Sequence, residues 1–444
     1  IEVAAKQGAK ILFMPTWSAE NDIERGGMSH HLRHFIDRAE SKLKPGKGIR
    51  LTDSHGKLTA ECRECLDAAR QYGMTVCSGH VSPLESIALA DGAKDYGIDE
   101  VIFSHPDSNS VGANLQEIKG HRPPLPADAI RLARGVTGRD GVMKIFGSYH
   151  GHHDYVMVDI GLNTYDMGDR ENYPSIPYGK GIPDAVTQMT TAVPFNDAGV
   201  LERRLTSLQS EGKLPACLIM EAAMMNCGVI LPEPGYLEDV RRITKKFGVV
   251  WIVDEVKTGL TVAAGGATEL FGIKPDLVCL AKALGAGIPT GAIGGSDEMW
   301  AMVDTGDVYM VGTFNGNPLA MAAARANLER VMTPDAYTHL GRLNDQLLDG
   351  AQGIIDRYKL AAYAVGIQSK GVITFAQSKV VDYDSYKSAQ QKEIIDLVWL
   401  WNMNRGIFGT PGRDEEWTLS IGMTAADADH YLGVFEELAA ELTR

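Results

Sequence analysis

The sequence predicts an α/β protein: a largely parallel sheet with helical crossovers, closed by an α+β terminal part and preceded by a further βα segment. Three observations carry this. Short apolar runs recur along the chain, each ending on polar, glycine or proline residues, as buried parallel strands do at their carboxyl ends. Stretches with helical spacing separate them, among them Thr59 to Tyr72, Pro83 to Tyr96 and Tyr236 to Phe247. Past Met332 the pattern changes, with strands at Gly371–Phe375 and Trp417–Ile421 and an amphipathic closing helix from Ala425 to Leu442.

Composition narrows the partners. The 444 residues are 44% hydrophobic and 23% charged, an ordinary globular balance with length for about two or three domains. A net charge of −14 argues against nucleic acid or an anionic membrane. No apolar run approaches the roughly 20 residues that span a bilayer. The first residues, IEVAAKQGAKILFMP, lack the basic, apolar, small-residue order of a secretory signal. Six scattered cysteines fit a reduced, cytoplasmic protein better than a disulfide framework. Cys62 and Cys65 lie in a helical stretch with no second pair at metal spacing, so they read as structural.

The first part of the chain, residues 1–119, alternates strands and helices. Strands are expected at Ile11–Met14, Met74–Cys77 and Val101–Phe103, and Ser82 with Pro83 marks a helix start. The steps Ser78-Gly79-His80 and Ser104-His105-Pro106 resemble part of an amidohydrolase-like (β/α) barrel. Too few βα units are present to close a barrel, and no His-x-His pair marks a first strand. His80 and His105 are therefore expected to be structural. Residues 26–50 read as an amphipathic helix with His30, His31 and His34 on one side, either an exposed face or a surface for a partner subunit. Residues 107–128 read as a junction, because Pro123, Pro124 and Pro126 oppose a regular helix there; the next helix is expected from Ala129.

The rest of the chain is organised around residues 251–295. The apolar run Val249 to Val253 ends on Asp254-Glu255, and a second, Leu277 to Leu280, ends on Ala281-Lys282 before Gly285, Gly287 and Pro289. Two buried strands would then deliver a carboxylate and an amine to one edge of a sheet, where open α/β folds place their sites. Such ends could also form a plain solvated edge. A carboxylate that keeps a pyridine nitrogen protonated, with a lysine able to form an imine, is the minimum equipment for pyridoxal phosphate chemistry. The wider string favours that reading. Asp254-Glu255-Val256, Thr258-Gly259, Lys274-Pro275-Asp276-Leu277 and the run from Ala281 to Pro289 resemble the signature of class III aminotransferases of fold type I. Gly265-Gly266-Ala267 leans toward the glutamate-1-semialdehyde aminomutase branch. The resemblance covers about residues 128–444.

The resemblance implies a PLP-transferase fold type I large domain over 120–331 and a small α+β domain over 332–444, after the atypical segment 1–119. It implies pyridoxal 5′-phosphate as cofactor, with Lys282, Asp254 and Glu221 as catalytic residues. Cofactor contacts would come from Ser148, Tyr149, His150, Asn226, Asp254, Val256, Lys282 and Thr313, the last reaching across a homodimer with a shared site. Tyr149 would stack on the pyridine ring, and Val256, placed on the strand face of Asp254, would press on the other side. His150, His152, His153 and Asp154 could suggest a metal by composition, but the family match points to the cofactor. The implied reaction moves an amino group between a small amino compound and a carbonyl acceptor through a Lys282 aldimine. A racemase or decarboxylase on the same scaffold, and a metal hydrolase or an inactive fusion, are the alternatives. The position often occupied by Arg in relatives is Thr261, so a carboxylate contact there does not carry over. The nearest counterpart of the family's phosphate loop, Ser108 to Gly112, is separated from its helix by the proline-rich junction, which implies weakened cofactor affinity.

Overall fold

The computed structural model describes residues 11–14, 48–79, 81–98, 101–102, 125–161, 168–310, 315–316, 318–389, 391–409 and 416–443. His30, His31, His34, His80, His105, the Ser108–Gly112 segment and Thr313 lie outside the described residues. The chain divides into two compact units, Ile1–His121 with Leu400–Phe408, and Arg122–Trp399 with Gly409–Arg444.

In the first unit β1 (Ile11–Phe13), β2 (Thr75–Cys77) and β3 (Val101–Ile102) form a parallel sheet in that order. Helices α1 (Ala60–Tyr72) and α2 (Pro83–Asp95) connect the strands, as the spacing predicts. Ser82 caps α2 reciprocally: its hydroxyl accepts from the Glu85 amide, and Glu85 Oε2 accepts from the Ser82 amide at 3.0 Å. The other oxygen of Glu85 accepts from the Leu51 amide at 2.8 Å, which ties the preceding loop to the helix start. Leu66, Ala69, Val76 and Leu89 are fully buried and form the core of this unit.

The second unit carries a six-stranded sheet: β4 (Val142–Ile145), β5 (Thr190–Val193), β6 (Cys217–Met220), β7 (Val250–Asp254), β8 (Leu277–Leu280) and β9 (Ala292–Gly295). Their order is β5-β4-β6-β7-β8-β9, all parallel except β9, which runs antiparallel to β8. β4, β6 and β7 are buried along their whole length, which explains their unbroken apolar runs. β9 reads Ala-Ile-Gly-Gly and has little strand propensity of its own; its pairing with β8 makes it a strand. The crossovers include α3 (Leu125–Thr137), α4 (Ala198–Ser210, capped by Asp197) and α5 (Tyr236–Phe247). One expectation is corrected. α3 begins at Leu125 rather than Ala129, because Pro126 sits in its first turn, where a missing N–H costs nothing.

The chain steps from β4 outward to β5, then returns to the other side of β4 with β6. The carboxyl ends of β4 and β6 thus flank a topological switch point, the place where such sheets leave a crevice. Beyond α6 (Pro318–Ala326) come α7 (Pro334–Tyr358) and an antiparallel sheet of β10 (Tyr363–Ile367), β11 (Lys370–Thr374) and β12 (Trp417–Thr418). The closing helix α8 (Ala425–Leu442) packs on α7 through Ala351, Ile354, Ile355, Phe435 and Ala439. Among the described residues no helix is long and apolar enough to cross a membrane.

Candidate active site

Four strand ends converge on one cleft of about 680 Å³ in the second unit. β4 runs into Gly147-Ser148-Tyr149-His150, and Gly147 is required there: its φ is +80°, and a Cβ would enter the ring of Tyr383. The loop that follows is anchored from below by Lys144. This fully buried residue of β4 donates to the carbonyls of Ser148 (2.7 Å), Val156 (3.3 Å) and Val158 (2.7 Å). Burial pushes its ammonium down to about 7, opposed by the nearby Asp159.

β7 ends on Asp254, whose buried carboxylate is held at both oxygens. Oδ2 lies 2.7 Å from His150 Nδ1, and Oδ1 accepts from the Val256 amide at 2.9 Å. His150 Nε2 lies 2.9 Å from Ser148 Oγ, which is also 2.6 Å from the Ile145 carbonyl; its single proton can serve only one of them. Burial pushes the His150 imidazole below its ordinary value, against the pull of Asp254. β6 is followed by Glu221, pushed up to about 8 by burial first and by the Asp254 charge second. Its Oε2 accepts from the Met225 amide (3.2 Å) and from Asn226 Nδ2 (3.3 Å), which also donates to the Tyr149 carbonyl (3.2 Å). The protonated form of Glu221 is thus favoured over its carboxylate beside Asp254.

β8 leads through Ala281 to Lys282 at the start of a single 3-10 turn, Lys282–Gly285. Lys282 has φ +46°, a left-handed conformation that costs a non-glycine residue about 1–2 kcal/mol. Such strain persists only where the surrounding structure holds it; it recurs at active sites, though Asp159, Asn196, Leu260, Ala286, Lys359 and Gln368 share it here.

Of the residues expected from sequence, Tyr149, Asn226 and Lys282 line the cleft, and Ser148, His150, Asp254 and Glu221 form a buried layer behind. Tyr149 is 41% exposed. The placement of Val256 is corrected. β7 stops at Asp254, so Val256 lies in the following turn, half-buried, and strand alternation does not relate the two. Among the described residues no three His, Cys, Asp or Glu side chains assemble as metal ligands. Sequence reasoning missed Lys257, Lys370, Glu416, Tyr383 and Tyr386, which line the same cleft. Lys257 sits between Val256 and Thr258 of the signature, and the others come from the far later part of the chain and carry no local motif.

Comparison with known proteins agrees with this geometry. The family described as aminotransferase class-III matches residues 127–390. The chain belongs to the class III aminotransferases. It is a pyridoxal-phosphate-dependent enzyme of amino-group transfer or shift, built on fold type I. A glutamate-1-semialdehyde 2,1-aminomutase of Geobacillus kaustophilus is 36% identical, over 94% of this chain and 95% of that protein. Residues 128–444 cannot supply that share, so the similarity reaches into the first unit, beyond the span read from sequence. Residues 1–122 also match a family of unknown function, DUF6282. Among solved structures, an omega-transaminase from Sphaerobacter thermophilus superimposes with a TM-score of 0.65 at 29% identity, covering 71% of this chain and 72% of its own. A glutamate-1-semialdehyde aminomutase from Pseudomonas aeruginosa PAO1 in complex with PMP gives a TM-score of 0.62 at 25% identity, covering 72% of this chain and 70% of its own.

Proposed function

We propose that the enzyme moves an amino group between a small amino compound and a carbonyl acceptor, or within one molecule, with Lys282 as the residue that carries the cofactor. The observation that supports this most directly is the strained lysine at the β8 turn, which lines the cleft while the paired His150 and Asp254 lie buried in the layer behind it. The donor set fits pyridoxal phosphate: one amine for its carbonyl carbon and one buried carboxylate for its ring nitrogen. When bound, that group supplies an electron sink for the pair of electrons left at the substrate carbon. Asp254 holds the proton on the ring nitrogen, and His150 fixes the carboxylate that does so. Glu221, neutral, leaves that negative charge unopposed and positions Asn226 beside Tyr149. The Lys282 amine, once released, is the base that takes the proton from the substrate carbon. Tyr149 offers an aromatic face at the mouth of the cleft.

The chain is further proposed to act as a cytoplasmic homodimer, with Thr313 reaching the cofactor of the neighbouring subunit. Residues 120–331 would be the cofactor-binding domain, 332–444 the small domain and 1–119 an atypical βα segment. The proline-rich stretch that separates Ser108–Gly112 from the helix in sequence should weaken cofactor affinity by about a hundredfold or more, the loss of about two or three charged hydrogen bonds. Saturation at sub-micromolar pyridoxal phosphate would overturn that part. The main test is borohydride treatment in the presence of pyridoxal phosphate, followed by peptide mapping. The label is expected on Lys282; a label on Lys257 or Lys370 would sink the assignment.

A further inference from the structure

We propose that the Lys370 ammonium, set between Thr418 and Glu416, is the seat for a carboxylate carried by the substrate. The inference deepens the function proposed above and rests on it for the word substrate. Lys370 begins β11 and is only 3% exposed, yet it lines the cleft that Lys282 opens on. Its Nζ donates to Thr418 Oγ1 at 2.8 Å and stands 3.7 Å from Glu416 Oε1. That carboxylate is already committed: Lys257 Nζ pairs with the same oxygen at 2.6 Å and also donates to the Met225 carbonyl at 2.5 Å. Ser369 Oγ, one residue before Lys370, donates to the Thr261 carbonyl at 2.7 Å and so fixes β11 against the turn that follows Asp254.

Two ammonium groups, Lys370 buried and Lys257 half-buried, therefore share one carboxylate. Burial pushes the Lys370 ammonium down to about 8, opposed first by the nearby Glu416. Glu416 is the one carboxylate among the described lining residues, against the ammonium groups of Lys257 and Lys370 beside it. A charge in so dry a place is costly until an ion pairs with it. An ammonium has three protons to donate, and among the described residues only Thr418 takes one from Lys370 in a direct hydrogen bond. A monoanionic carboxylate matches both that imbalance and the donors.

Three proteins decide it: wild type, Lys370→Gln and Glu416→Gln. Each is titrated calorimetrically with glutarate and assayed in the half-reaction with 4-aminobutyrate and with propylamine, which lacks the carboxylate. Lys370→Gln is expected to weaken glutarate binding about tenfold or more, and to lower the preference for 4-aminobutyrate over propylamine by a similar factor. Glu416→Gln removes the competing carboxylate and should shift both quantities the other way, by about threefold. A merely structural role would not improve on the wild type. Unchanged glutarate affinity in Lys370→Gln, or equal losses with both amines, overturns the proposal. So does a loss of pyridoxal phosphate affinity with glutarate unaffected, which would give the ammonium to the cofactor phosphate. If Lys370→Gln does not fold, Glu416→Gln decides alone, and glutarate binding no tighter than wild type overturns the idea. If pyridoxal phosphate never labels Lys282, the proposed function falls, but the glutarate titrations still decide this site.

Discussion

Asp254 and Glu255 are neighbours in the chain, both carboxylates and both buried, yet the regions around them are built for opposite ends. Glu255 is saturated. It accepts from the Ala267 amide (2.9 Å), the Thr268 amide (2.6 Å), Thr268 Oγ1 (2.7 Å) and the hydroxyl of Thr258. These donors belong to the 258–268 turn, so the residue works as a peg that fixes this loop under the sheet. Asp254 accepts from one imidazole and one amide and keeps lone-pair capacity for something else. The difference teaches how to sort two buried acids. A carboxylate whose partners are mostly backbone amides and hydroxyls of one loop has been spent on structure. One that a histidine orients at a cleft has capacity left for chemistry.

The sharpest way to break this comparison is Asp254→Asn. The amide keeps the shape but cannot stabilise a pyridinium, so turnover should fall about a hundredfold to ten-thousandfold, the kinetic equivalent of about 3–5 kcal/mol. Single-turnover rates of the half-reaction measure it, and rates near wild type would remove Asp254 from the mechanism. Gly266→Ala probes the other carboxylate. Gly266 has φ +69°, and a Cβ would lie 2.5 Å from Glu255 Oε2. The variant should lose about 2–4 kcal/mol of stability, from the left-handed backbone and a displaced hydrogen-bonded acid. The urea midpoint shows this, and a midpoint unchanged from wild type would mean that Glu255 is not a peg.

The smallest effect sharpens the picture behind Asp254. Glu221 has a folded pKa raised to about 8 from an ordinary value of 4.5. Between those values the folded state holds a proton that the unfolded state has released, so this group's contribution to stability is present at low pH and declines as pH rises toward 8. Glu221→Gln removes that dependence. The melting temperature of the variant should therefore fall less between pH 5 and pH 8 than that of the wild type. An identical slope in both would show that Glu221 ionises normally.

Much of the second unit was legible because its signals are local. The crossover helix Tyr236–Phe247, strand Leu277–Leu280 and closing helix Ala425–Leu442 have the bounds that their spacing predicts. Each combines unbroken periodicity with a clear stop, such as the Gly248 cap at φ +60°. The misjudged places are those where a neighbour decides. Pro126 reads as a breaker until its position in the first turn of α3 is known. Val256 reads as strand until β7 is seen to stop at Asp254. β9 carries too little propensity to announce itself and depends on β8.

The sequence by itself determined the family, and it singled out the lysine proposed to carry the cofactor and the acid proposed to face it, because those residues occur within one short stretch at spacings set by strand and turn. It also implied that the Gly265-Gly266-Ala267 run matters, though not why. Tertiary structure alone decided that Glu255 fills the space a side chain at 266 would need, that His150 meets Asp254 from 104 residues away, and that Glu221 is driven to neutrality beside it. It alone brought Lys257, Lys370 and Glu416 to one wall of the cleft. Hydrogen bonds and desolvation act over a few ångströms in space, whatever the separation along the chain, so such groupings leave no local pattern to read.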